Sequence, residues 1–234
     1  VKEQIDLMYS LIHQQVDVIV LVPIDSKALV QPAVEAVRKG IPVINIDIQL
    51  DAQLFEQAGV EVAFVGPDNF AAAYEVGKLL GKKLRNEDKV AIIEGLAVAD
   101  NARQRKRGFI KAIEEKGLRL VASEPADWET EKAAEVFQAM WMRYPDLKAV
   151  YCSNDAMALG VLQQMQEKKC YLPVVGFDND AVMKEFLSTG KLVATADIFS
   201  SQMAVRGIEF ALDVLEGRIE NRGVHSTAYE IIKQ

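Results

Sequence analysis

Apolar positions along this chain recur in two rhythms that take turns almost from end to end. Over residues 2–14, Ile5, Met8, Leu11 and Ile12 fall on one face at helical spacing. Residues 17–23 (DVIVLVP) then form a short run rich in β-branched residues, which reads as a buried strand. A helix over 26–39 stops at Gly40, and strands follow over 41–47 (IPVINID) and 62–65.

The alternation continues with helices over 70–84, 102–116, 129–144, 155–168, 180–188 and 201–216. Between them lie strands over 89–94, 118–124, 148–153, 173–177 and 193–197, and a short strand over 227–232 closes the pattern. Strands separated by single helices predict parallel βαβ units, and hence an α/β fold. The strand at 62–65 runs into Gly66-Pro67-Asp68-Asn69, and a full βαβ set follows as far as Asp197. The last helix and strand are then left over, as if the chain returned to an earlier lobe. The pattern therefore predicts two lobes with parallel sheets. Short extended crossings would join them and act as a hinge.

Composition narrows the picture. The chain has 234 residues, half of them apolar and a quarter charged, enough for one large α/β domain or two smaller lobes. A net charge of −7 argues against a nucleic-acid partner, whose phosphates want a basic face. The basic run Arg103-Gln104-Arg105-Lys106-Arg107 reads as a solvated helix face with one buried arginine. No stretch approaches the ~20 apolar residues of a membrane helix. The chain opens without a signal-peptide pattern, and its abrupt start leaves room for an upstream segment. Cys152 and Cys170 read as inert thiols, with a bridge between them as the alternative.

No enzyme constellation emerges. The two histidines, His13 and His225, do not follow strand ends, and nucleophile-elbow, P-loop and dinucleotide motifs are missing. Neither a metal site nor a cofactor is expected. Polar groups gather instead at strand ends, where open α/β sheets bind their ligands: Asp47, Asn154, Asp178, Asp197, and Asn101 and Arg105 beyond the strand ending at Glu94. Hydroxyl-rich guests need fixed donors and acceptors, which Arg, Asn and Asp supply, and Trp128 offers an apolar platform. Ser26, Asp155 and Asp180 read as helix N-caps, and Asn154 as either a ligand group or a cap. Tyr151 and Trp141 read as core.

Seven segments in order resemble the type I periplasmic sugar-binding proteins, the ribose-binding family. They are DVIVLVPIDSKAL, GIPVINIDIQ, FVGPDN, Arg105-x-x-Gly108-Phe109, SNDAMALG, VVGFDND and the run from Thr189 to Thr195. The resemblance implies two Rossmann-like lobes, 1–67 plus 198–223 and 68–197 plus 224–234, closing over a small sugar or polyol, without catalysis. ABC importer membrane subunits, or a chemoreceptor, would then read the closed form. It implies a monomer that is periplasmic or lipid-anchored at the cell surface. It places the substrate-binding roles on Asp47, Arg105 (guanidinium clamp), Trp128 (aromatic wall), Asn154 and Asp178 (bidentate carboxylate). Hinge crossings are implied near Pro67–Asn69, Ala196–Phe199 and residues 223–225.

Three departures qualify it. Ile48 stands where the family has Arg, and Ile198 where it has Gln, which points away from ribose towards a deoxy sugar, a polyol or a furanose. The family's opening strand-helix-strand has no counterpart, so the N-terminal lobe is expected to be incomplete. The alternative readings are the effector domain of a lac-repressor-type regulator, which shares SNDAMALG and VVGFD, and a receptor's sensor ectodomain.

Overall fold

A computed structural model describes residues 1–234. The chain begins with α1 (Lys2–His13), β1 (Ile19–Leu21), α2 (Val30–Arg38), β2 (Val43–Ile46), α3 (Ala52–Ala58) and β3 (Phe64–Pro67). It continues with α4 (Asn69–Gly81), β4 (Lys89–Glu94), α5 (Asp100–Lys116), β5 (Arg119–Pro125), α6 (Thr130–Arg143) and β6 (Ala149–Cys152). Then come α7 (Asp155–Lys168), β7 (Val174–Val175), a 3₁₀ turn (Ala181–Met183), α8 (Lys184–Ser188), β8 (Leu192–Asp197), α9 (Ser200–Leu215), β9 (Val224–Thr227) and β10 (Glu230–Lys233).

These elements form two compact units. The first comprises Val1–Pro67, Val98–Asn101 and Phe199–Ala228. Its sheet runs β1-β2-β3-β9 with every pair parallel. One side is filled by Met8 and Ile12 of α1, Val30, Ala33 and Val34 of α2, and Phe55 of α3. On Ile44, Ile46 and Val65 lies Ala211 of α9. The turn Val98–Asn101 groups with this unit because the Ser26 amide donates to the Val98 carbonyl (3.1 Å) and the Ser26 hydroxyl accepts from the Asp100 amide (2.8 Å).

The second unit comprises Asp68–Ala97, Ala102–Ile198 and Tyr229–Gln234. Its six strands are ordered β10-β8-β7-β6-β4-β5, parallel except for the antiparallel β10–β8 edge. β6 is buried on both faces, as a parallel strand covered by helices must be. α6 and α7 share one apolar cluster with β4 and β6, including Phe137, Met157 and Val161. Phe109 of α5 meets Tyr151 of β6 at 5.3 Å between ring centroids.

Several local expectations change. The segment read as one strand over 227–232 is two strands: β9 extends the first sheet beside β3, and β10 closes the second beside β8. The division of the chain therefore falls at Ala228–Tyr229, beyond the expected third crossing at 223–225. Helix α2 starts at Val30 rather than at residue 26, because the Asp25 carboxylate takes the Lys27 and Ala28 amides into a separate turn. Helix α3 was not foreseen; Asp51 caps it through the Gln53 and Leu54 amides, and Gly59 ends it in a left-handed conformation. Cys152 and Cys170 are free thiols.

Candidate functional site

In the second unit the segments that follow β5, β6 and β7 carry Trp128, Asn154 and Asp178, and helix α5, after β4, carries Arg105, four of the five residues singled out from the sequence. Arg105 sits in the second turn of α5, only 3 % exposed. Its Nε donates to Asn69 Oδ1 (2.9 Å), and its Nη1 donates to the Ser153 carbonyl (2.8 Å) and to Asp178 Oδ1 (3.3 Å). The guanidinium carbon lies 3.7 Å from the Phe177 ring centroid and 5.6 Å from that of Trp128. Stacked and tethered on several sides, the fork is held rigid, which suits planar recognition of oxygen acceptors.

Asp178 follows β7 in a turn where both it (φ 106°) and Asn179 (φ 59°) adopt left-handed backbone. Its amide donates to the Ala196 carbonyl (2.7 Å), and its side chain keeps 26 % of its surface exposed. The pair is thus a nearly buried cation beside a carboxylate still open to a guest. Such a pair can accept from sugar hydroxyls through the carboxylate while the arginine donates to others.

Asn154 is the N-cap of α7: its Oδ1 accepts from the Met157 amide (2.9 Å). The capping reading is correct, and it leaves the Nδ2 hydrogens for a further acceptor. Trp128 lies in a tight turn with Asp127, both left-handed (φ 71° and 53°). Its ring fills the space over Gly95, where a Cβ would collide with the six-membered ring. Gly95 is therefore what leaves room for the indole at the end of β4.

Asp47 belongs to the first unit, at the carboxyl end of β2 in left-handed backbone (φ 63°), its amide donating to the Val65 carbonyl (3.1 Å). The structure thus groups Arg105, Trp128, Asn154 and Asp178, and places Asp47 in the other unit. Nearby in sequence to Arg105, Asn101 is 6 % exposed, and its buried Oδ1 has no partner within the chain.

Sequence reasoning missed Asn69 and Phe177 as parts of this site. Asn69 read as hinge and Phe177 as strand; only their contact with Arg105 reveals them. It also misread two caps, Asp155 and Ser26, while Asp180 does stand at the N-cap of the 3₁₀ turn. Asp155 does not cap α7 but lies in its first turn with a fully buried carboxylate. Asp180 makes no side-chain cap bond, and the Ser26 hydroxyl serves the Asp100 amide rather than its own segment. Burial, the largest cause, pushes the Asp155 carboxyl up to about 7, against hydrogen bonds from Asp180 and Thr195 that favour its charged form.

This arrangement of polar strand ends on a parallel sheet defines a ligand-binding α/β protein, and the chain belongs to the Periplasmic binding protein domain family, which matches residues 1–219. It is 40% identical over 234 residues to the D-ribose/D-allose-binding protein of Pseudomonas aeruginosa, covering 98% of this chain and 73% of that one. A solute-binding protein of an ABC transporter from Burkholderia multivorans is 38% identical with a TM-score of 0.94, covering 99% of this chain and 83% of that one. Its unknown ligand is represented as alpha-D-erythrofuranose. Another, from Actinobacillus succinogenes with bound D-allose, is 31% identical at a TM-score of 0.92, with the same coverages. The relatives are sugar-binding transport proteins, and the fold is that of the type I periplasmic binding proteins.

Proposed function

We propose that this protein binds a small carbohydrate or polyol and delivers it to an ABC importer, without turning it over. The observation that carries this reading is the Arg105–Asp178 pair. A guanidinium locked by Asn69, Ser153 and Phe177 stands beside a carboxylate that is still accessible. Arg105 donates to ring or hydroxyl oxygens, Asp178 accepts from two adjacent hydroxyls, Asn154 donates through Nδ2, and Trp128 covers an apolar sugar face.

Two aliphatic residues, Ile48 and Ile198, suit a guest with fewer outward hydroxyls than ribose. The relatives named for D-ribose and D-allose, and the one with bound D-allose, support a monosaccharide-sized guest. The protein acts as a monomer in the periplasm or anchored by lipid at the cell surface, and a chemoreceptor is a second reader of the liganded form.

Calorimetric titration against pentoses, hexoses, polyols and furanoses tests the reading. One-to-one binding of at least one member, abolished by Arg105→Ala, is expected. A panel with no binder overturns it.

A further inference from the structure

The Asp155 side chain is none of the groups proposed to meet the ligand, yet it is wholly buried at the start of α7, next in sequence to Asn154. Oδ1 accepts from the Thr195 hydroxyl of β8 (2.9 Å), and Oδ2 accepts from the Asp180 amide (2.9 Å). Thr195 Oγ1 in turn accepts from the Asn179 amide (3.2 Å), while the Asp178 amide is held by Ala196. The Asp155 amide closes the ring by donating to the Phe177 carbonyl (2.7 Å). Two of the three amides of the Asp178–Asp180 turn, those of Asn179 and Asp180, are thus bound by one small network, and the third by the β8 backbone.

The turn needs that support. Asp178 and Asn179 are consecutive non-glycine residues in left-handed backbone, a strained state that persists only where its surroundings over-determine it. Gly176 makes room for the network: a Cβ there would collide with Asp155 Oδ1. The titratable groups facing Asp155 are Asp178 and Asp180 from the turn above and the Cys152 thiol at the end of β6. Beyond them, Asp197 of β8 accepts from the Asn179 side chain, and Arg105 of α5 reaches Asp178. A buried carboxylate held by neutral donors between like charges is costly to the fold.

We propose that Asp155 is a positioning residue of the sugar site: through Thr195 and the Asp180 amide it fixes the strained turn and so aims the Asp178 carboxylate. The link to sugar rests on the reading given under Proposed function; the hold on the turn does not. Protonation turns one carboxylate oxygen from acceptor to donor and breaks one bond of the network. With the carboxyl pushed up to about 7, affinity falls as pH drops from 8 to 6.

The test compares the full chain with Asp155→Asn, Thr195→Val and the conservative Thr195→Ser. Amide exchange of residues 178–180 is measured without sugar, and affinity for D-allose and D-ribose by calorimetry at pH 6 and pH 8. Asp155→Asn is expected to speed exchange at Asn179 and Asp180 tenfold or more and to weaken binding at least tenfold at pH 8. Its thermal midpoint at pH 8 stays the same or rises, since a buried charge is removed, and its affinity no longer changes with pH. Thr195→Val behaves like Asp155→Asn in exchange and affinity, and decides the matter if Asp155→Asn does not fold, whereas Thr195→Ser keeps wild-type values. Unchanged exchange in the turn, or an affinity loss matched by a lowered thermal midpoint, overturns the proposal. If the wild-type chain binds neither sugar while the exchange results hold, the choice of ligand fails and the positioning role stands.

Discussion

Asp178 is the residue on which most depends, because it is both the open carboxylate and a partner of a buried cation. Asp178→Ala strips a charge-assisted hydrogen bond from Arg105 and from the ligand at once. It should cost about 3 kcal/mol of binding, roughly a hundredfold in Kd, by titration calorimetry. Gly95→Ala probes the indole from behind: the added methyl has to displace the Trp128 ring. We expect overpacking to cost about 1–3 kcal/mol of stability and the affinity to fall as the aromatic wall moves, read by denaturation and calorimetry. Asp155 also predicts a pH dependence of stability. Its folded value of about 7 lies above the ordinary 3.8, so the folded chain holds a proton that the unfolded chain releases. That contribution is fully present below about pH 4 and is lost as pH rises through 7. Asp155→Asn should remove this slope from thermal midpoints measured between pH 5 and 8.

Helix α7 separates two jobs carried by one side chain. Asn154 caps the helix through Oδ1, and Nδ2 is the atom that the proposed function assigns to a guest. Asn154→Ser keeps a capping oxygen but no amide, so its thermal midpoint should stay near wild type while sugar affinity falls roughly tenfold. Asn154→Ala should lose both, with about 1 kcal/mol of stability lost with the cap. A serine variant that binds as wild type would leave Asn154 with the cap alone. Elements of this kind were largely legible in the sequence. Strands such as β2 and β6 are buried on both faces; β6 reads as an unbroken apolar run and β2 as one broken only by Asn45. What escaped had weak local signals. α3 is a single short helix marked only by Asp51 and Gly59, and β9 exposes three of its four residues, so it shows no alternation. The candidate site was legible, as a cluster of side chains, where a polar residue ends a strand, as at Asn154 and Asp178. It was hidden where a role comes only from a distant contact, as for Asn69, Phe177 and Asp155, whose partners lie 36, 72 and 40 positions away in sequence.

For the whole molecule the central claim is capture of a small carbohydrate or polyol. Family membership, relatives named for D-ribose and D-allose, and a locked arginine beside an open carboxylate all support it. A ligand that binds only the folded chain stabilises it by mass action, about 2.7 kcal/mol at a hundred times its Kd. For a chain of this size that is a rise in thermal midpoint of roughly 5–10 °C. The most direct measurement is a thermal-shift and calorimetry panel of D-ribose, D-allose, deoxy sugars, polyols and furanoses on the wild-type chain and on Asp178→Ala. The account predicts a saturable, one-to-one rise for at least one sugar or polyol, lost in the variant. A panel that leaves the wild-type midpoint unmoved, or a shift that survives unchanged in Asp178→Ala, would contradict it.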